Sequence, residues 1–261
     1  MFLVRRHDRV AFMGGAHVFP GGRVDTADYM SDAREWCDGV TTAAARLRDI
    51  PATEAVAYHV AAIRELFEEA GVLLARDAAG LVAIGTGADD RFGTCRRLLL
   101  ENRLTIRDLA EREQVRLALD ALMLFGHWVT PEIEARRFDT RFFFAIAPEV
   151  QEAAHDERET SHGVWMPPVE AIERCLKGEI ALPPPTWTTL RALSRCASVD
   201  AAWTWAQSHP APRVQPCVRE RDDGARIIAL PGDPLCPPVE GLHAEEKRFL
   251  LENGRWRPIT P

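Results

Sequence analysis

The stretch AAIRELFEEAG, residues 61–71, sets Glu65, Glu68 and Glu69 beside Arg64 and then stops on Gly71. On a helix turning about 100° per residue, Glu65 neighbours both Glu68 and Glu69, so three carboxylates share one small patch. Left alone they repel by roughly a few tenths of a kcal/mol per pair. A divalent cation turns that repulsion into attraction, and oxygen-only donors suit a hard ion, Mg2+ or Mn2+, which keeps several waters and bridges to substrate phosphate. Arg64 stands one turn from Glu68 and can hold its carboxylate in orientation. Without context the same residues describe a solvated helix face, so the surrounding elements decide.

Val56, Val60, Ile63, Phe67 and Ala70 recur at helical spacing from about residue 53 to 70, opposite the carboxylates, and Gly71 suits the position just past a helix end. Upstream, AHVFPGGRVD reads as a strand, HVF, and a turn that only glycine adopts at low cost. Residues 26 to 52 show no sustained period and read as an insertion holding a short helix. Downstream, VLLA and LVAIG predict a return to a sheet, and RRLLLENRLTIRDLAERE predicts one or two amphipathic helices. LALDALMLFGHWVT and RRFDTRFFFAIAP predict strands, followed by strand VWM and a helix opening at PPVEAIERCL. Past Gly178 a proline-rich lead enters a helix, and short strands follow with a hairpin turn at Asn253-Gly254. At the start, FLV reads as a strand that is either short or lacking an upstream partner strand, which would leave a sheet edge exposed.

The chain has 261 residues with 46% hydrophobic, 27% charged and a net charge of −7, so no overall positive field draws it to nucleic acid or anionic lipid. No apolar run reaches the roughly 18 residues of a membrane span. The six cysteines are scattered without a CxxC pair and read as reduced, structural thiols. The expected setting is the cytoplasm, and the oligomeric state, monomer or homodimer, is left open.

PGGRVDTAD, residues 20–28, together with RELFEEAGV, residues 64–72, resembles the Nudix box, G-x5-E-x7-R-E-U-x-E-E-x-G-U with U a bulky apolar residue. The second half matches at every specified position. In the first half Asp28 stands where the pattern has Glu, and 35 residues rather than seven separate it from Arg64. This split box is similar to the Nudix branch that includes peroxisomal acyl-coenzyme A diphosphatases and bacterial relatives. The similarity extends through FDTRFFFA, WMPPVEAI, LPPPTW and LPGDPL.

The resemblance implies an α/β Nudix fold, a mixed sheet sandwiched between helices, with an insertion at about 29–54 inside the box. It places a Nudix domain at 1–178 and a packed C-terminal extension at 179–261. It also implies Mg2+- or Mn2+-assisted hydrolysis of a nucleoside diphosphate linked to another group, with coenzyme A or its thioesters as the expected substrate. ADP-ribose, a dinucleotide, or a catalytically silent ligand sensor are the alternatives. By the same resemblance Glu68 and Glu69 are metal ligands, and Glu65 is a third ligand or the base that positions water. A loop glutamate, Glu157 or preferably Glu159, is the rival base. Gly21 and Gly22 let backbone approach the phosphates and Arg23 can contact one. Arg5 and Arg6, with Arg9, either receive the 3′-phosphate of coenzyme A or cap a strand end. The Phe142–Phe144 run and Trp165, Trp187, Trp203 and Trp205 read mainly as packing residues.

Overall fold

The computed structural model describes residues 1–9, 13–81, 91–149, 151, 153 and 160–259. In chain order the strands are β1 (Phe2–Arg6), β2 (His17–Val18), β3 (Cys37–Asp38), β4 (Ala75–Asp77), β5 (Gly80–Leu81), β6 (Arg116–Ala118), β7 (Met123–Val129), β8 (Asp139–Phe144), β9 (Thr160–Trp165), β10 (Arg213–Val214), β11 (Cys217–Glu220), β12 (Arg226–Ala229), β13 (Arg248–Glu252) and β14 (Arg255–Pro258). The helices are α1 (Ala33–Trp36), α2 (Val40–Arg46), α3 (Ala52–Ala70), α4 (Arg91–Leu100), α5 (Ile106–Glu113), α6 (Pro168–Leu176), α7 (Pro184–Leu193) and α8 (Val199–Ser208).

The strands pair as β2-β1-β9, β10-β7-β8, β3-β6-β4-β5 and β11-β12-β13-β14. Two of these sheets are mixed, since β10 runs parallel to β7 and β3 parallel to β6 while their other pairings are antiparallel. β1 is the middle strand of its sheet, antiparallel to both β2 and β9, so the expected unpaired edge is absent from it: the partner comes from far along the chain. The final hairpin turns at Asn253 and Gly254, both at positive φ, as the Asn-Gly pair requires.

Helix α3 is built as its period dictates. Val56, Val60, Ile63 and Phe67 are buried in one cluster with Leu73, Leu74, Leu109 and Leu117, each large side chain contributing about 1.5–3 kcal/mol by leaving water. Gly71 ends the helix in the left-handed region at φ 71°, its N–H bonded to the Phe67 carbonyl at 2.9 Å. Residues 72–74 of VLLA are not strand. They cross the core as a buried link, and β4 begins only at Ala75; an apolar run without period does not by itself select a strand.

A second cluster joins Leu3, Trp128, Met166 and Trp187 to Leu230 and Phe249, so residues beyond 178 share a core with β1 and β7. Cys217 and Cys236 form a disulfide across 19 residues with their Cα atoms 5.5 Å apart, which corrects the reading of all six cysteines as thiols. Cys37, Cys95 and Cys175 are free and buried.

Three histidines lie inside, His17, His59 and His127, and the first two are shifted furthest. Burial pushes His59 down to about 4, and its Nε2 is buried without a hydrogen-bond partner. Burial, with Arg5, His162 and Arg174 adding to it, brings His17 to about 4 as well. Both pKa values are depressed below the ordinary 6.5, so the unfolded chain binds protons that the folded chain refuses between pH 6.5 and 4. Stability is therefore full above pH 6.5 and falls by up to about 1.4 kcal/mol per pH unit per histidine on acidification. Urea midpoints measured from pH 7 to 5 should fall, and the slope should lessen in His59→Leu. A flat profile would contradict this.

Candidate active site

α3 and the glycine bend after β2 build the site together. The Arg64 guanidinium, buried on α3, donates from Nε to Asp28 Oδ1 at 2.9 Å and from Nη2 to Asp28 Oδ2 at 3.0 Å. It also donates from Nη2 to the Arg23 carbonyl at 2.7 Å, which fastens the segment after the bend to the helix. Nη1 then reaches both Glu65 Oε1 at 2.9 Å and Glu68 Oε2 at 3.1 Å. One planar cation thus orients three carboxylates, a task its fork of donors suits better than an ammonium would. Burial works against the Arg64 charge, but the Asp28 hydrogen bonds and the charges of Glu65 and Glu68 outweigh it and raise its pKa.

The bend meets the same face twice more. Gly21 N–H donates to Glu69 Oε2 at 2.9 Å. At Gly22 an added Cβ would overlap the Glu65 carboxyl group, so only glycine lets that carboxylate lie against the backbone. Gly22→Ala is expected to displace Glu65 and lower kcat about a hundredfold, the scale set by an ångström of misplacement. A steady-state assay giving parental kcat would refute this.

Glu65, Glu68 and Glu69 lie under the 20–28 segment rather than on an open face: Glu69 is 7% exposed. Burial drives the Glu68 carboxyl pKa up, and Arg64 offsets this only in part. The donor set is all carboxylate oxygen, which fits a hard divalent cation. Among the described residues no three acidic, His or Cys side chains close into a ready-made cation cage; here the Arg64 guanidinium supplies the positive charge that Glu65 and Glu68 share.

Asp28 is the site residue that the sequence reading did not select. It is 0% exposed and ends the 3-10 turn Thr26–Asp28, accepting from Asp25 N–H at 2.7 Å. Its position six residues after Gly22 was the available signal, obscured by the 35-residue gap to Arg64.

The other expected residues fall in different places. The Arg23 side chain is exposed beside the bend. Arg5 pairs with Asp8 at 2.6 Å and donates to Ser161 Oγ at 3.1 Å. Arg6 follows it on β1, where the pairing with β9 shifts register between the two residues. Glu157, Glu159 and His155 lie outside the described residues. Phe144 and Trp187 are buried, and Trp165 is exposed beside Phe2. Trp205 borders a cavity of about 50 Å³ with Phe125, Trp128 and Leu242, away from the glycine bend and too small for a nucleotide. No helix among the described residues is long and apolar enough to cross a membrane.

Residues 39–193 match the model of the NUDT19 Nudix domain. The matched region holds α3 but starts after the glycine bend, whose place in the site rests on the hydrogen bonds above. The chain is 30% identical to the acyl-coenzyme A diphosphatase NUDT19 of Gallus gallus, over 95% of this chain and 75% of that one. It is 25% identical to the protein of the same name in Xenopus laevis, over 97% and 75%. A crystal structure of a NUDIX hydrolase from Alicyclobacillus acidocaldarius superposes with a TM-score of 0.61 at 26% identity, covering 78% of this chain and 86% of that one.

Proposed function

The chain belongs to the NUDT19 Nudix domain family, and from that premise we propose that it hydrolyses the pyrophosphate of coenzyme A or an acyl-coenzyme A with the help of a divalent cation. It is a Nudix pyrophosphohydrolase by family and by fold. The substrate reading is supported by relatives named acyl-coenzyme A diphosphatases. The observation that carries the site is the bridge of Arg64 from buried Asp28 to Glu65 and Glu68.

Mg2+ or Mn2+ held by Glu65, Glu68 and Glu69 would neutralise the diphosphate and polarise a phosphoryl oxygen. The protein's own groups do the positioning. Asp28 fixes Arg64, Arg64 fixes Glu65 and Glu68, and Gly21 fixes Glu69 through its N–H. Glu65, or Glu159, which precedes β9 in sequence, accepts the proton of the attacking water. The water oxygen bonds to one phosphorus of the diphosphate as the bond from that phosphorus to the bridging oxygen breaks, and two phosphomonoesters leave. Arg23 serves a diphosphate oxygen, and Arg5 or Arg6 serves the 3′-phosphate; Arg5 can exchange its exposed pairing with Asp8 at little cost.

The test is a panel of coenzyme A, acyl-coenzyme A, ADP-ribose and NADH incubated with Mg2+ or with chelator, with products identified by mass. Two phosphomonoesters from coenzyme A, only with Mg2+, are expected. Faster cleavage of ADP-ribose or NADH would overturn the substrate assignment, and binding without turnover across the panel would overturn the enzymatic one.

A further inference from the structure

The Glu65 face of α3 continues past the carboxylates. Seven residues make nearly two turns, so Tyr58 stands on the same side of the helix as Glu65, about 10 Å along the axis. Between them lie Ala61, which is buried, and Ala62, which is partly buried. Tyr29 follows directly on Asp28, the residue that fixes Arg64. It is 50% exposed, its N–H is bonded to the Thr26 carbonyl at 3.3 Å, and the 3-10 turn before it packs on α3.

These are the two tyrosines of the chain. The Tyr58 hydroxyl pKa is raised, first by burial and then by Asp139, with Arg141 opposing and Glu54 and Tyr29 adding. Behind Tyr58 the Arg141 guanidinium sits 5.4 Å from the ring centroid. That guanidinium is buried and tied to Asp49 at 2.6 Å, to Asp139 and to His127. A cation held this firmly keeps the ring in place.

We propose that Tyr29 and Tyr58 are the stacking platform for the planar base of the nucleotide whose diphosphate lies at Glu65, Glu68 and Glu69. The proposal rests on the nucleoside diphosphate reading of that site. A base fits better than an acyl chain. Tyrosine offers flat faces with a wet polar edge, and the surroundings carry Glu54, Asp139 and Arg141 rather than an aliphatic wall. Stacking tolerates such a polar rim and is sensitive to loss of the ring.

Calorimetric binding of AMP and of ribose 5-phosphate tests the platform, because the two probes differ only in the base. The native protein should bind AMP at least about tenfold more tightly than ribose 5-phosphate. Tyr29→Ala should erase most of that ratio and Tyr29→Phe should keep it; Tyr29 is exposed, so neither change threatens the fold, and Tyr58→Leu supplies the second arm. Equal affinity of the native protein for the two probes, failure of both to bind, or a tenfold preference that survives Tyr29→Ala would overturn the proposal. Turnover is not the readout. A chain that cleaves coenzyme A without base preference loses the platform alone, and one that prefers AMP yet cleaves no coenzyme A loses only the reading of its activity.

Discussion

Glu69→Gln is expected to fold as the native chain does and to lose at least about a thousandfold in kcat. The glutamine amide keeps an oxygen where Gly21 N–H donates at 2.9 Å, and it preserves the volume of a side chain 7% exposed, so backbone and packing are undisturbed. What disappears is the negative charge. If that charge helps to hold a divalent ion against a diphosphate, several kcal/mol of transition-state stabilisation go with it. Steady-state kinetics alongside a melting curve separates the two effects. A variant with near-native kcat, or one that is inactive because it has unfolded, would contradict this expectation.

Asp28→Ala should act on stability and activity together. Asp28 is wholly buried and takes two hydrogen bonds from Arg64. Removing Asp28 takes the acceptor from two Arg64 N–H groups while Glu65 and Glu68 still balance the guanidinium charge, which costs about 1.5–3 kcal/mol. The loss should also free Arg64 from its anchor and, with it, the orientation of Glu65 and Glu68. Asp28→Asn retains an acceptor of the same shape and should be milder in urea unfolding while still losing rate. Equal stability of native protein and Asp28→Ala would mean that Arg64 finds compensation elsewhere.

The second half of the site was legible in sequence because its signals are local. Four apolar residues at helical spacing fixed the buried side of α3, Gly71 fixed its end, and the carboxylates followed from the wheel. The first half was not, because its meaning is made across the insertion. Within residues 20–28 only the spacing from Gly22 points to Asp28, and nothing there announces that Gly21 will bind Glu69. α1 and α2 fill the gap and return the chain to the start of α3. Likewise β1 read as either short or lacking an upstream partner because its second partner, β9, lies more than 150 residues away, and Cys217 and Cys236, 19 residues apart, are brought together by the fold of the C-terminal region. Without context the glutamates read as a solvated helix face for the same reason, since the segment that covers them is distant in sequence.

Binding of Mn2+, followed by electron paramagnetic resonance in the native chain and in a Glu68→Gln/Glu69→Gln variant, asks most directly whether the carboxylates of α3 hold a cation. A bound ion in the native protein, with affinity about a hundredfold or more weaker in the folded variant, is the predicted result. Equal Mn2+ affinity in both would contradict the account, because the ion would then sit somewhere other than beside Arg64 and the glycine bend.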